Sequence, residues 1–146
     1  MPSKPPFHEQ ETRFSCVPAC LRMVLLSLGV EVPESDLRAR CDTTILGTEA
    51  LKAIDAVRTL GFPASAKFTL KVDELRDAVS EGEWPIVFVS LLSIDARDDV
   101  HALIVTGFAE QDVFVLDPLV GERTIPLRMF TAAWSARHNL TILIRR

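Results

Sequence analysis

The stretch "RFSCVPACLRMVLLSLG", residues 13–29, decides how the rest of this 146-residue chain is read. Ser15 stands where a helix cap belongs and Gly29 where a helix stops, so the apolar run between them predicts a helix reaching about Leu28. Pro18 falls in the first turn, where a missing N–H costs little. Two cysteines lie four residues apart in this segment. A thiol in a first helical turn meets free N–H groups and the positive end of the helix dipole, which favour a thiolate. Cys16 has that place. Cys20 lies one turn deeper, beside Met23, Val24 and Leu28, and reads as a packing residue. Of the two, Cys16 is therefore the better nucleophile, and Cys41, after a short helix, is expected to pack.

Outward from this helix the chain changes character once. Residues 1–9 carry three prolines and read as an extended arm, with a single domain over 10–146. "VPESDLRARC" predicts a short helix opened by Pro33. "GTEALKAIDAVRTLG" predicts another, capped by Thr48, striped by Leu51, Ile54, Val57 and Leu60, and ended by Gly61. After "FPASAKFTL", a strand, and "VDELRDAVSEG", a helix, come the β-rich runs "PIVFVSLL", "VHALIVTGF", "DVFVLD" and "GERTIPL". "LRMFTAAWS" reads as a helix and "LTILI" as a last strand. Helices first and strands afterwards give an α+β domain with a segregated antiparallel sheet.

Bulk properties narrow the function classes. The formal net charge is -4, with no block of Lys or Arg, so nucleic acid has no electrostatic footprint to bind. The N-terminus lacks the apolar core of a signal peptide, and no apolar stretch is long enough to span a bilayer. Three cysteines make an odd count, and reduced thiols in a soluble cytoplasmic protein are expected. A zinc site from Cys16, Cys20, Cys41 and a histidine matches no common zinc spacing, and neither metal nor organic cofactor is expected.

A thiolate nucleophile needs a base, and the base an orienting group. His101 sits in the apolar run "VHALIVTGF", and Asp117 ends the next run. A hairpin through "AEQD" would bring the two near one end of a strand pair. Gln10 lies upstream of Cys16, where its amide can serve an oxyanion together with the Cys16 N–H. The residues alone leave other roles open: a packing thiol, a satisfied core histidine, an Asp-Pro turn opener, an exposed glutamine. His8 and His138 are rival bases. "SIDARDD", residues 93–99, reads as a charged loop that could rim a cleft.

These segments resemble the bacteriocin-processing peptidases, papain-like cysteine peptidases that cut leader peptides after a double-glycine motif. The resemblance rests on Gln10, on Cys16 opening a helix, on Cys20-Leu21-Arg22-Met23, on His101 in a strand and on Asp117-Pro118 after the next. It implies a papain-like α+β fold, with an N-terminal helical part packed on a C-terminal antiparallel sheet. It implies Cys16 as nucleophile, His101 as general acid and base, Asp117 as its orienter, and Gln10 in the oxyanion hole. The implied substrate is a peptide or protein, with a separate ABC transporter or biosynthetic protein as partner, the chain itself being read as a stand-alone domain. Val17 stands where the family has Gly, Ser15 where an acidic residue is common, and Ala102 where an aromatic residue is common. A β-branched Val17 is expected to crowd the substrate carbonyl or tilt the first turn. An idle cleft that only binds peptide, and acyl transfer on the same three groups, are the alternatives to hydrolysis.

Overall fold

The computed structural model describes residues 3–146; Met1 and Pro2 of the expected arm lie outside the described residues. The chain runs α1 (Cys16–Ser27), α2 (Glu34–Arg40), α3 (Ala50–Thr59), β1 (Ala66–Thr69), α4 (Val72–Ser80), β2 (Ile86–Ser90), α5 (Leu92–Asp95), β3 (Val100–Phe108), β4 (Asp112–Asp117), β5 (Gly121–Pro126), α6 (Leu127–Ser135) and β6 (Leu140–Leu143). The six strands form one sheet in the order β1-β6-β2-β3-β4-β5, and every neighbouring pair is antiparallel. The α+β architecture is the one expected, with the N-terminal helices packed on the sheet.

The central strands are apolar on both faces, so both faces need cover. Ile86, Phe88, Ala102, Ile104 and Ile142 pack with α1, α2 and α3 in one core. Val87, Val89, Leu103, Val105 and Leu143 pack with α4 and α6 in a second. The helices after the first half therefore complete a third layer rather than merely joining strands.

Four local expectations are corrected. Ser15 occupies the N-cap position of α1, but its hydroxyl makes no capping bond; it donates to the Thr12 carbonyl and accepts from the Thr12 N–H. Thr48 does not cap α3. Glu49 holds that place, and the Thr48 hydroxyl pairs with that of Thr43 at 2.7 Å. Leu51 leaves the α3 stripe and is exposed, because Ala53, Ile54, Ala56 and Val57 form the buried face. The first part of "SIDARDD" is a single helical turn, α5, ended by Ala96 in the left-handed region.

The pairing of β3 with β4 is broken once. Val105 pairs with Val115, but Gly107 pairs with Phe114, so Thr106 is an extra residue in β3. Its hydroxyl donates to the Phe114 carbonyl at 3.2 Å. A Cβ on Gly107 would lie 3.2 Å from the Phe114 ring, so glycine makes room for that ring on the bulge. The extra residue changes which β4 side chains share a face with the start of β3. With it, Ile104 pairs with Leu116, and odd-numbered residues of the two strands lie on one face. Without it, His101 and Asp117 would face opposite sides.

Candidate active site

Three elements end at the same place. α1 begins at Cys16, β3 has His101 as its second residue, and β4 ends at Asp117. The last registered pair of the β3–β4 ladder is Ile104 with Leu116, so His101 and Asp117 lie just past its end. The His101 Nε2 and Asp117 Oδ1 are 2.7 Å apart, and both side chains are buried. This leaves Nδ1 as the ring nitrogen available to a second partner. Cys16, half-buried at the first position of α1, is close enough to act on the ring and to raise its pKa. No hydroxyl caps the first turn of α1, so its N–H groups are not spent on Ser15.

Burial pulls the His101 pKa down, but the bond to Asp117 and then the contact with Cys16 outweigh it and push the ring up to about 9. Burial likewise opposes the Asp117 charge. The His101 bond and charge, the Leu119 N–H and Arg123 overcome it and hold the carboxyl below the usual carboxylate range. Asp117 is fully engaged: Oδ1 also accepts from the Leu119 N–H at 2.8 Å, and Oδ2 accepts from Arg123 Nη1 at 3.0 Å.

The Asp117-Pro118 step also fixes Gln10. The Pro118 carbonyl accepts from the Gln10 backbone N–H at 2.8 Å, and the Gln10 side chain is buried beside it. One Nε2 hydrogen of Gln10 goes to the Thr12 carbonyl at 2.7 Å. Its Oε1 is buried with no hydrogen-bond partner among the described residues. The amide keeps a second N–H, which is the group an oxyanion would use.

A cleft of about 780 Å³ opens beside His101, walled by Thr12, Phe14, Ile45, Leu91, Val100 and Leu119 and edged by Arg13, Arg97 and Asp99. The 93–99 segment thus does rim a cleft. The remaining thiols are core residues. Cys20 is fully buried, with its Sγ 3.7 Å from the Ala102 carbonyl, and burial pushes it well above the ordinary thiol value. Cys41 is also buried and is pushed to about 12. The rival bases sit elsewhere. His8 spends its backbone N–H on Met23 Sδ, and His138 lies in the turn after α6 with a φ of 58°.

Val17 does not crowd the cleft. Its side chain is 3% exposed and belongs to the core of α1 to α3. The second helical position points into that core while the first stays half-buried, so the residue that replaces the family's glycine is a packing residue.

Two residues escaped the sequence reading. Glu34, at the start of α2, reads as a solvated first-turn acid but is buried. Its Oε1 accepts from the Glu11 N–H at 3.0 Å and braces the loop between Gln10 and Cys16. Arg38 Nε lies 3.2 Å from Oε2, close enough for an ion pair though out of line for a hydrogen bond. Burial raises the Glu34 carboxyl above the ordinary range. Arg123 reads as an outward residue of an edge strand, and nothing in "GERTIPL" signals that its guanidinium reaches Asp117. A register between β4 and β5 was needed to see it.

Known proteins share this arrangement of elements. The peptidase domain of Streptococcus ComA, a bifunctional ABC transporter in a quorum-sensing pathway, superposes with a TM-score of 0.81 over 99% of this chain and 100% of that domain, at 24% identity. A double-glycine-motif protease from an AMS/PCAT transporter, solved with a leader peptide, gives 0.79 over 98% and 93%, at 20% identity. In sequence, the lactococcin-A transport/processing ATP-binding protein LcnC of Lactococcus lactis is 31% identical over 112 residues, 77% of this chain; the match spans only 15% of that longer protein. The sequence model of the Peptidase C39 family matches residues 4–145, nearly the whole length, and the chain belongs to that family.

Proposed function

We propose that this protein is a cysteine peptidase that cuts a leader peptide at a double-glycine-like site, with Cys16 as nucleophile and His101 as general acid and base. The observation that carries this reading is the buried His101–Asp117 bond of 2.7 Å with Cys16 as the ring's other neighbour. Membership of the Peptidase C39 family and the likeness to leader-peptide proteases support it.

The chemistry follows from the positions. With the proton held on His101 Nδ1, the Cys16 sulfur attacks the scissile carbonyl. The Cys16 N–H and the free Gln10 amide hydrogen donate to the oxyanion. As the tetrahedral centre collapses, the C–N bond breaks and the leaving amine takes the proton from His101. The thioester then reacts with water, whose proton goes to His101 as the Cys16 sulfur leaves and the acid is released. Asp117 holds the ring with Nδ1 toward the thiol throughout and stabilises its charged form. No step calls on a metal or an organic cofactor.

The substrate is read as a peptide with small residues before the cut. An ABC transporter is the partner this reading implies, since LcnC is named for transport and processing together. The three free cysteines suit the reducing cytoplasm. Val17 is buried in the core, and its side chain does not fill the cleft.

The test is incubation with synthetic peptides bearing Gly-Gly sites, read by mass spectrometry. Cleavage after the second Gly, with a Cys16-linked acyl adduct on rapid quenching, is expected. Equal cleavage by Cys16→Ala, or none by the wild type, rejects the reading. Product joined to an added amine at the expense of hydrolysis would favour acyl transfer instead.

A further inference from the structure

Asp117 faces His101 with one oxygen, and the other is not left to solvent. The β4–β5 register pairs Val115 with Arg123 and Asp117 with Gly121, which makes Arg123 the diagonal neighbour of Asp117 on the same face, within reach of a long side chain. Its Nη1 donates to Asp117 Oδ2 at 3.0 Å and to Asp95 Oδ2 at 3.2 Å, and its Nη2 donates to Asp95 Oδ1 at 2.8 Å. Asp95 closes α5, at the foot of the 91–99 segment that walls the cleft; the Leu91 N–H and the Asp99 carbonyl tie that segment shut at 2.8 Å. Charges of alternating sign thus run from Asp95 through Arg123 and Asp117 to His101, which Cys16 adjoins. Arg97 is a further cation at the outer end, and the buried thiol of Cys20 lies near the inner end.

We infer that Arg123 is a positioning residue: its fork holds the Asp117 carboxylate in the plane that presents Oδ1 to His101, and locks that carboxylate to α5, in the segment whose Leu91, Arg97 and Asp99 line the cleft. An isolated carboxylate can rotate about its last bond and trade its oxygens. Asp117 is 2% exposed, so water cannot replace a lost donor at Oδ2, and a buried acceptor without a partner drives rearrangement. A planar guanidinium touching both carboxylates blocks that rotation, and no other side chain donates to Oδ2 among the described residues. The inference rests on reading Cys16, His101 and Asp117 as one unit, and reaches past it to a fourth group and to the cleft wall.

The experiment is a double-mutant cycle on the full chain. The rate of Cys16 alkylation by iodoacetamide is measured at pH 6 for wild type, Arg123→Met, Asp117→Asn and the double variant, with circular dichroism checking the fold of each. Arg123→Met is expected to slow alkylation about tenfold in the wild-type background and to change nothing further in Asp117→Asn, because the two act through one bond. If Arg123→Met does not fold, Arg123→Lys, which keeps the charge but lacks the fork, runs the same cycle with the same expectation. An equal fall in both backgrounds shows a merely structural role and overturns the inference. So does a rate left unchanged or raised by the Arg123 substitution, or an Asp117→Asn variant that alkylates like wild type. Peptide cleavage is scored separately: a wild type that cuts nothing, with the expected cycle intact, rejects the peptidase reading while the role of Arg123 stands.

Discussion

His101 Nε2 lies 2.7 Å from Asp117 Oδ1, in a place where neither side chain meets solvent, although the two residues belong to different strands and sit past the last pair of their ladder. The bond holds the ring in one orientation and favours its charged form, which the pKa of about 9 expresses. Peptide cleavage is therefore expected to fall as pH rises through about 9, where the imidazolium proton is lost and no acid remains for the leaving amine. Asp117→Asn should move that alkaline limb to lower pH and cost about 10²–10⁴ in kcat, the usual worth of a positioned acid-base group. A pH–rate profile of both proteins checks this; an unmoved limb would separate the limb from His101.

The same groups set how stability responds to pH. The His101 pKa is raised above its ordinary 6.5, so its contribution is complete below 6.5 and is lost as pH rises through about 9. The Asp117 pKa is lowered, so its contribution is present above the ordinary 3.8 and is lost as pH falls through the lower folded value. Urea midpoints should drop between pH 6.5 and 9, on the order of 1–3 kcal/mol in stability, and His101→Gln should flatten that drop. Buried Cys20 and Cys41 stay protonated in the fold while the unfolded thiols ionise, so they add a further fall above pH 9.

Cys16 should react first with iodoacetamide in the native protein, because it is half-buried at a helix start while Cys20 and Cys41 are enclosed. Peptide mapping after brief labelling checks this. Modification of Cys20 or Cys41 before Cys16 at neutral pH contradicts the assignment.

Val17→Gly empties a core position and puts glycine into a helix. It should cost about 2–4 kcal/mol of stability. Because the side chain points away from the cleft, the acylation rate of the folded variant should not rise. Thermal melting together with a single-turnover assay distinguishes this outcome from relief of crowding.

Gln10→Ala should lower kcat about 10²–10³-fold by removing an oxyanion donor. Alkylation of Cys16 should stay near the wild-type rate, since no oxyanion forms in that reaction. Paired cleavage and alkylation rates test the split; equal losses in both would assign Gln10 to holding the loop before Cys16.

Much of this architecture was legible in the sequence. The helix from Cys16, the strands "VHALIVTGF" and "DVFVLD" and the helix "LRMFTAAWS" are local objects, set by apolar period, by glycine and proline punctuation and by the Ala-Glu-Gln-Asp turn. The candidates Cys16, His101, Asp117 and Gln10 could be named because each is a chemically unusual residue in its local setting. Two of the errors fell where a hydroxyl had two possible partners. Ser15 turned to Thr12 instead of its helix, and Thr48 turned to Thr43, because a hydroxyl takes whichever backbone or hydroxyl lies nearest in space.

By itself, then, the sequence determined the elements, their order and the residue types available for chemistry, since those follow from interactions a few residues apart. Tertiary structure decided which of those residues share a face. The extra residue at Thr106 shifts the strand register by one and so puts Asp117 on the His101 side of the sheet; helix phase sends Val17 inward and leaves Cys16 beside His101; strand pairing swings Arg123 onto Asp117. A one-residue register and the phase of a helix are fixed by packing and pairing across the whole chain, and no local pattern encodes them.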